Sequence, residues 1–160
     1  MKYISKKGFT LTELMTVVII LGILVSIAAG SYRKAAERSN FSEGLVAAHS
    51  IMEAVERYHI DHPEVTRPQI AELDLTLSHQ KNGGDSYSVK TKYFTVSVKD
   101  DGHVEAVRTG GKYTISVYPE TFGSNRLQPD TCKGKSAKTD FCVSVGYTAC
   151  NTTTGICTKP

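Results

Sequence analysis

The chain has 160 residues, enough for one domain of ordinary size plus an extension. Its formal net charge is only +3, which gives no general reason to expect nucleic-acid binding, and no internal repeat is visible. Apolar residues make up 40% of the chain and the mean hydropathy is −0.21, which excludes a protein embedded in a membrane over most of its length. Residues 14–29, however, are almost wholly apolar, and no later stretch resembles them.

A basic start precedes this apolar stretch. The first seven residues contain no acid and three lysines, Lys2, Lys6 and Lys7, which favour a start in the cytoplasm. As a helix, residues 9–29 would be about 31 Å long, which matches a hydrocarbon core of roughly 30 Å. This pattern predicts a membrane-spanning helix. Two simpler alternatives are a secretory signal peptide cut near Ala28 or Ala29 and a plain membrane anchor.

Glu13 is a carboxylate inside the apolar stretch, and both simpler alternatives leave it unexplained. A charge in a membrane-spanning helix costs about 2.5–3.5 kcal/mol when central and less near an end. The basic residues that follow, Arg33 and Lys34, lie at the far end. Cleavage after Gly8 would create a partner, the new α-amino group of Phe9, on the neighbouring helical turn. Paired between neighbouring subunits, the amine and the carboxylate would cancel a costly charge.

The sequence of residues 8–13, Gly-Phe-Thr-Leu-Thr-Glu, followed by the apolar run, closely resembles the signature of the type IV prepilin family. In that family a membrane peptidase cuts after the glycine and methylates the new amino terminus. The acid five residues into the mature chain is used in subunit assembly. The resemblance therefore implies that Gly8 is the last leader residue and that Phe9 is the cleaved, N-methylated terminus. It also implies that Glu13 and Phe9 form the assembly salt bridge.

The resemblance also implies partners and a location. The partners are like subunits in a helical filament, a prepilin peptidase/methyltransferase, an inner-membrane assembly platform and an assembly ATPase. Neither a cofactor nor a metal nor an enzymatic activity is implied. The chain would cross the inner membrane once, with its C-terminal head outside the cytoplasm, and would lie in an extracellular pilus after assembly. Removal of residues 1–8 would bring the formal charge from +3 to zero, which suits dense packing against copies of itself.

Several functions stay open within this family and outside it. Type IV pili serve adhesion, twitching motility and DNA uptake. A pseudopilin of a type II secretion system, or a minor pilin, would share the whole N-terminus. A monomeric membrane-anchored binding protein would keep the anchor but leave Glu13 unexplained.

Many members of the type IV pilin family carry a proline some 20 residues into the mature chain. This chain instead has Gly30 there and Gly22 earlier, either as soft points of the helix or as sites of close packing.

A helical pattern continues beyond the apolar stretch, as far as about Asp61. Apolar residues and one histidine recur at steps of three and four, on a stripe formed by Phe41, Leu45, Ala48, Met52, Val55 and His59 and widened by Val46 and Ile51. The sequence predicts one long helix with a membrane-spanning half (9–30) and an amphipathic half (31–62). His59 and His62 share a face at its end, where a helix-terminal role is favoured over a metal site.

The rest of the chain predicts a small head. Residues 63–86 form a connecting loop with a short helical turn from Pro68 to Leu73. The alternation of Leu73, Leu75 and Leu77 leaves two further alternatives open, a short strand or a leg docked on the core. Residues 87–118 form an antiparallel β-meander of three to four strands that packs on the stripe of the helix. Its β-rich runs are 87–91, 93–98, 103–107 and 113–118. Residues 100–102, Asp-Asp-Gly, are interpreted as a turn, with a calcium-ligand fragment as the alternative.

The C-terminal region (119–160) is rich in turns and contains all four cysteines, Cys132, Cys142, Cys150 and Cys157. An even number behind an export signal favours disulfides, and the spacings lack the short pair typical of zinc sites. Sequential pairing is favoured, although three connectivities stay open. Residues 141–145 predict a last strand. Three clustered lysines, Lys133, Lys135 and Lys138, are interpreted as a solvated loop rather than a nucleic-acid patch.

The predicted fold is α+β: a long N-terminal helix on a small antiparallel sheet with a disulfide-bonded C-terminal region.

Overall fold

The structure is a computed structural model that describes residues 8–75, 81–82, 85–123 and 128–160. The chain divides into two compact units, residues 1–39 and 40–160, which we call the N-terminal unit and the head unit. One helix, α1 (Leu11–Asp61), begins in the first unit and continues into the second. The predicted α+β class, with a long N-terminal helix and an antiparallel sheet, is confirmed.

α1 begins at Leu11 rather than at Phe9, because Thr10 caps it. The Leu14 N–H donates to the carbonyl oxygen of Thr10 at 3.3 Å. The Glu13 N–H donates to the Thr10 hydroxyl at 3.3 Å, and the Thr10 N–H donates to the Glu13 carboxylate at 2.8 Å. This reciprocal arrangement is a capping box, which satisfies donors that the first helical turn would otherwise leave unpaired.

Over residues 14–29, α1 is apolar around its whole circumference. It contains an 18-residue window with a mean hydropathy of 2.5, none of which is buried, so the helix is long and apolar enough to cross a membrane. α1 is unbroken at Gly22 and at Gly30. A Cβ added at either glycine would meet no other atom within 4 Å.

In the head unit, α1 buries one face. Its buried residues follow steps of three and four, as the stripe predicts: Phe41, Gly44, Ala48, Ile51, Met52, Ala54 and Val55. The expectation that Val46 widens the stripe is wrong, since 65% of Val46 is exposed. Val46 lies two residues after Gly44, so it points to nearly the opposite side of the helix.

The head unit contains an eight-stranded, wholly antiparallel sheet with the order β1-β2-β3-β4-β5-β6-β8-β7. The strands are β1 (Lys81–Asn82), β2 (Ser88–Lys90), β3 (Phe94–Val98), β4 (Val104–Arg108), β5 (Tyr113–Val117), β6 (Thr131–Gly134), β7 (Ala149–Asn151) and β8 (Ile156–Thr158). β2 to β5 form the predicted meander. Alternate residues of β3 and β5 are buried, which places one face of the sheet in the core with α1.

Three expectations for the surrounding segments need correction. The connecting loop holds a 3-10 helix (Ile70–Glu72), as the helical alternative predicted, but also the short strand β1. Leu73 and Leu75 are not in a strand, and Leu77 lies outside the described residues. The C-terminal region, expected to be rich in turns with one last strand, adds β6, β7 and β8 to the same sheet, which is therefore larger than the predicted three to four strands.

The strand predicted over residues 141–145 is wrong, because these residues belong to the helix α2 (Asp140–Ser144). A strand would place Phe141 and Val143 on one face. In α2, Phe141 packs against the core, Cys142 is fully buried and Val143 is 46% exposed. The Val143 N–H donates to the carbonyl oxygen of Thr139 at 3.0 Å, which closes the helical turn.

The structure contains two disulfides, Cys132–Cys142 and Cys150–Cys157, which is the sequential connectivity. The first ties α2 to β6. The second joins directly opposed residues of the β7–β8 hairpin. Around the first disulfide lies an aromatic cluster in which the Phe41 ring centroid is 5.7 Å from those of Tyr113 and Tyr147 and 5.8 Å from that of Phe141.

Candidate functional site: the start of α1

The candidate site is the segment from Gly8 to Val17, where the predicted cleavage point precedes α1. Gly8 and Phe9 lie before the capped first turn and have no regular secondary structure. The Phe9 side chain is 87% exposed. The capping box thus leaves the Gly8–Phe9 peptide bond outside the helix.

The Glu13 carboxylate is held by neutral donors. One of its oxygens, Oε2, accepts hydrogen bonds from both the backbone N–H and the hydroxyl of Thr10, each at 2.8 Å. The Thr10 hydroxyl also lies 3.1 Å from the hydroxyl of Thr12. These contacts orient the carboxylate but leave its negative charge uncompensated.

Glu13, in the first turn of α1, lies on the same side of the chain as Phe9, which precedes the helix. Together with Thr12, Thr16 and Val17, these two residues line a shallow depression at the helix start. The Thr16 hydroxyl donates to the Thr12 carbonyl oxygen at 2.8 Å, so it is satisfied within the helix. The carboxylate and Phe9, whose nitrogen would become the amino terminus after cleavage, therefore lie side by side.

The capping box is a feature that the sequence analysis missed. Its signal is readable in the sequence, because Thr10-Leu11-Thr12-Glu13 fits the Ser/Thr-x-x-Glu pattern of a helix start. The prediction from the sequence covers only the role of Glu13 as half of an ion pair. The structure adds a second role for the same side chain, which fixes where α1 begins.

The two histidines at the end of α1 stack on different aromatic rings. The His59 ring stacks on Phe122 at 4.2 Å, and the His62 ring stacks on Tyr58 at 4.3 Å. Among the residues that the structure describes, no group of three or more His, Cys, Asp or Glu side chains is placed to hold a metal ion. His79 lies outside the described residues.

The Asp-Asp-Gly segment is an ordinary turn. Gly102 has a φ of 86°, a left-handed conformation that favours glycine. The Asp100 carboxylate pairs with Arg67, and the Asp101 carboxylate pairs with the Nδ1 of His103. Both carboxylates are thus engaged by side chains of the head unit.

Comparisons with known proteins agree with the architecture and the site. A family model described as the prokaryotic N-terminal methylation motif matches residues 4–29. A fimbrial protein of Pseudomonas aeruginosa is 31% identical over 113 residues, which cover 68% of this chain and 70% of that protein.

Two Neisseria proteins are more similar over a shorter stretch. The type IV major pilin protein PilE1 of Neisseria gonorrhoeae is 40% identical over 57 residues, covering 36% of this chain and 34% of that protein. A fimbrial protein of Neisseria meningitidis serogroup B is 41% identical over 59 residues, covering 37% of this chain and 35% of that protein. The chain therefore matches about a third of the length of these relatives. No solved structure matches.

The methylation motif covers the start of α1, and the similarity to the P. aeruginosa protein extends over most of both chains. Together with the long helix, the antiparallel sheet and the C-terminal disulfides, these matches show that the chain belongs to the type IV pilin family.

Proposed function

We propose that this chain is a structural subunit of a type IV pilus, cut between Gly8 and Phe9, methylated on Phe9 and assembled through α1. The observation that carries the proposal is the position of Glu13, a charged side chain on the same exposed side of the chain as Phe9, at the start of an apolar helix. Its neutral partners orient the carboxylate without cancelling its charge, so a cationic partner would lower the free energy of the assembled state.

Cleavage supplies that partner. The new α-amino group of Phe9 would be positive, and the exposed apolar surface of residues 14–29 would be buried against the helices of neighbouring subunits. In the filament, which lies outside the membrane, burial of this apolar surface away from water stabilises the association, while the pairing of Glu13 with a neighbour's amino group fixes the register. The head units would form the outer surface of the filament.

The processing and assembly partners follow from this role. Before cleavage the leader lysines hold the start of the chain in the cytoplasm, and α1 crosses the inner membrane once with the head outside. A prepilin peptidase/methyltransferase cuts and modifies the chain. An inner-membrane platform and an assembly ATPase then insert the subunit into the pilus, where adhesion, motility or DNA uptake would take place.

Substitutions of Glu13 separate its two roles. Glu13→Gln removes the charge but keeps an amide oxygen that can accept the capping-box hydrogen bonds from Thr10. If charge pairing guides assembly, Glu13→Gln and Glu13→Ala both lower the amount of surface filament per cell, by about tenfold or more, while cleavage after Gly8 continues. If Glu13→Gln assembles normally and Glu13→Ala does not, the role of Glu13 is to cap the helix and not to pair charge. Normal assembly by both variants would contradict any role of Glu13 in the filament.

A further inference from the structure

We propose that neighbouring copies of this pilin bind each other through two oppositely charged surfaces at opposite ends of the head unit. One surface is an acidic groove beside α1, and the other is a lysine-rich turn after β6. The inference rests on the proposed function, because it names the surfaces that would meet when the subunits form a filament.

The acidic groove lies between α1 and the loops that follow β5 and precede β6. Among the described residues that line it are four carboxylates, those of Glu53, Glu56, Glu120 and Asp130, and one lysine or arginine, Lys159. Negative charge therefore exceeds positive charge in the groove. This excess makes it a surface for a cationic partner.

The acids of the groove differ in how far the subunit already uses them. Asp130 pairs with His49 at 2.8 Å. The Glu56 carboxylate accepts the backbone N–H of Glu120 at 2.6 Å, so it holds the loop against α1. Glu53 and Glu120 are exposed, and neither has an ion pair within the described part of the chain. These last two carboxylates are the least engaged within the subunit, although the pKa of Arg57, four residues along α1 from Glu53, is raised mainly by its hydrogen bond to Asp74 and in smaller part by the charge of Glu53.

The basic turn comprises residues 135–138, directly after β6, and Lys133 lies just before it, within β6. The side chains of Lys133, Lys135 and Lys138 are exposed and form no ion pair among the residues that the structure describes. The turn is tightly closed. A Cβ added at Gly134 would lie 1.6 Å from the carbonyl oxygen of Lys138, and the Lys135 N–H donates to the carbonyl oxygen of Lys112 at 3.0 Å. The closed turn limits the backbone entropy lost on binding, whereas the exposed lysine side chains still lose rotamer freedom there.

The two surfaces lie at opposite ends of the pair formed by β5 and β6. In the register of these antiparallel strands, Tyr113 is opposite Gly134, and Ser116 is opposite Thr131. The basic turn follows Gly134 at the first end, and the groove lies at the second end, beside Val117 and Asp130. The strands between the two ends are about 13 Å long. One subunit cannot therefore bring its own lysines to its own groove.

The line from the basic turn to the groove runs along the part of α1 that lies in the head unit. Phe41 packs against Tyr113, at the end with the basic turn, and Glu53 and Glu56 line the groove one to two turns before the end of α1. Copies arranged along this helix direction would place the turn of one over the groove of the next. A contact between two different surfaces can repeat from one subunit to the next. If the rotation that relates neighbouring subunits does not close a ring, the repeated contact builds a filament.

The contact is tested by substitutions that swap the charges of the two surfaces. The variants are made in the full chain and expressed in cells that use this chain as their pilin. The groove variant is Glu53→Lys with Glu120→Lys, the turn variant is Lys135→Glu with Lys138→Glu, and the exchange variant carries all four substitutions. A matched control, Glu43→Lys with Glu64→Lys, makes the same charge change at exposed acids outside the groove. The measurement is the mass of sheared surface filaments relative to subunit in the membrane.

We expect the groove and turn variants each to lower filament mass by about tenfold, because like charges would meet at every contact. The exchange variant should return it to within about twofold of the wild type, and the control should match the wild type. Wild-type filament mass in both two-residue variants, or no recovery in the exchange variant, would overturn the contact while leaving the proposed function intact. Absence of the wild-type chain from filaments would overturn the proposed function and this contact together.

Discussion

The ring of Phe94 in β3 lies directly against the backbone of Gly44 in α1. A Cβ added at Gly44 would lie only 2.5 Å from the Cζ atom of that ring. Phe94 is fully buried, so its ring has no space into which to move. The absence of a side chain at position 44 therefore sets how closely α1 packs on the sheet of the head unit.

This relationship predicts that Gly44→Ala destabilises the head. Overpacking a filled core costs about 1–3 kcal/mol, which exceeds the gain of up to about 1 kcal/mol from the better helix propensity of alanine. Denaturant unfolding of the full chain in detergent measures the difference in free energy of unfolding. Gly30→Ala is the control, because nothing lies within 4 Å of the added Cβ, and it should not destabilise the protein. Equal behaviour of the two variants would show that the close packing at Gly44 is unimportant.

The buried hydroxyl of Tyr147 predicts a loss of stability at alkaline pH. Within the described structure this hydroxyl has no hydrogen-bond partner. Burial, and to a lesser degree the charge of Asp130, raises the pKa of Tyr147 from 10.0 to about 12. The folded protein therefore retains this proton at a pH where the unfolded chain loses it. Its contribution to stability is complete below pH 10 and is lost as the pH rises toward 12, by up to about 3 kcal/mol.

Tyr147→Phe isolates this contribution, since it removes the hydroxyl and leaves the ring in the aromatic cluster. Unfolding of both proteins is measured at pH 8 and at pH 11. The wild type should lose more stability than Tyr147→Phe between these values, whereas near neutral pH the two should differ little, because the hydroxyl makes no hydrogen bond there. Parallel losses in both proteins would contradict the prediction.

The two disulfides should differ in importance. Cys132–Cys142 is the covalent link between α2 and β6, and both residues are fully buried. Cys150–Cys157 joins opposed residues of a hairpin that keeps its backbone hydrogen bonds without the disulfide. Replacing both cysteines of each pair by alanine should lower the free energy of unfolding by about 2–5 kcal/mol for the first pair and by less for the second. Thermal unfolding of the two double variants tests the order, and the reverse order would contradict it.

Most of the fold could be predicted because its signals are local. The buried face of α1 follows helical periodicity, and β3 alternates apolar with polar residues between turns. The segment 131–158 could not be predicted in the same way. Its strands have three or four residues each, and they form because β6 pairs with both β5 and β8, a long-range arrangement without a local sequence pattern.

The site was predictable in its chemistry but not in its geometry. The order glycine, phenylalanine, threonine and glutamate is visible in the sequence, whereas the bonds from Thr10 to Glu13 appear only with the helix start in place. The pairing of His49 with Asp130 was also beyond sequence reasoning, because the two residues are 81 positions apart and meet only when the C-terminal region folds onto α1.

The most direct test of the central claim is the identity of the amino terminus in the assembled filament. Surface filaments are sheared from cells and purified, and the intact subunit and its N-terminal peptide are measured by mass spectrometry. The account predicts a subunit that begins at Phe9, carries one methyl group on the α-amino nitrogen and contains all of residues 9–160. A filament subunit that begins at Met1 or near Ala29, or filaments without this chain, would contradict it.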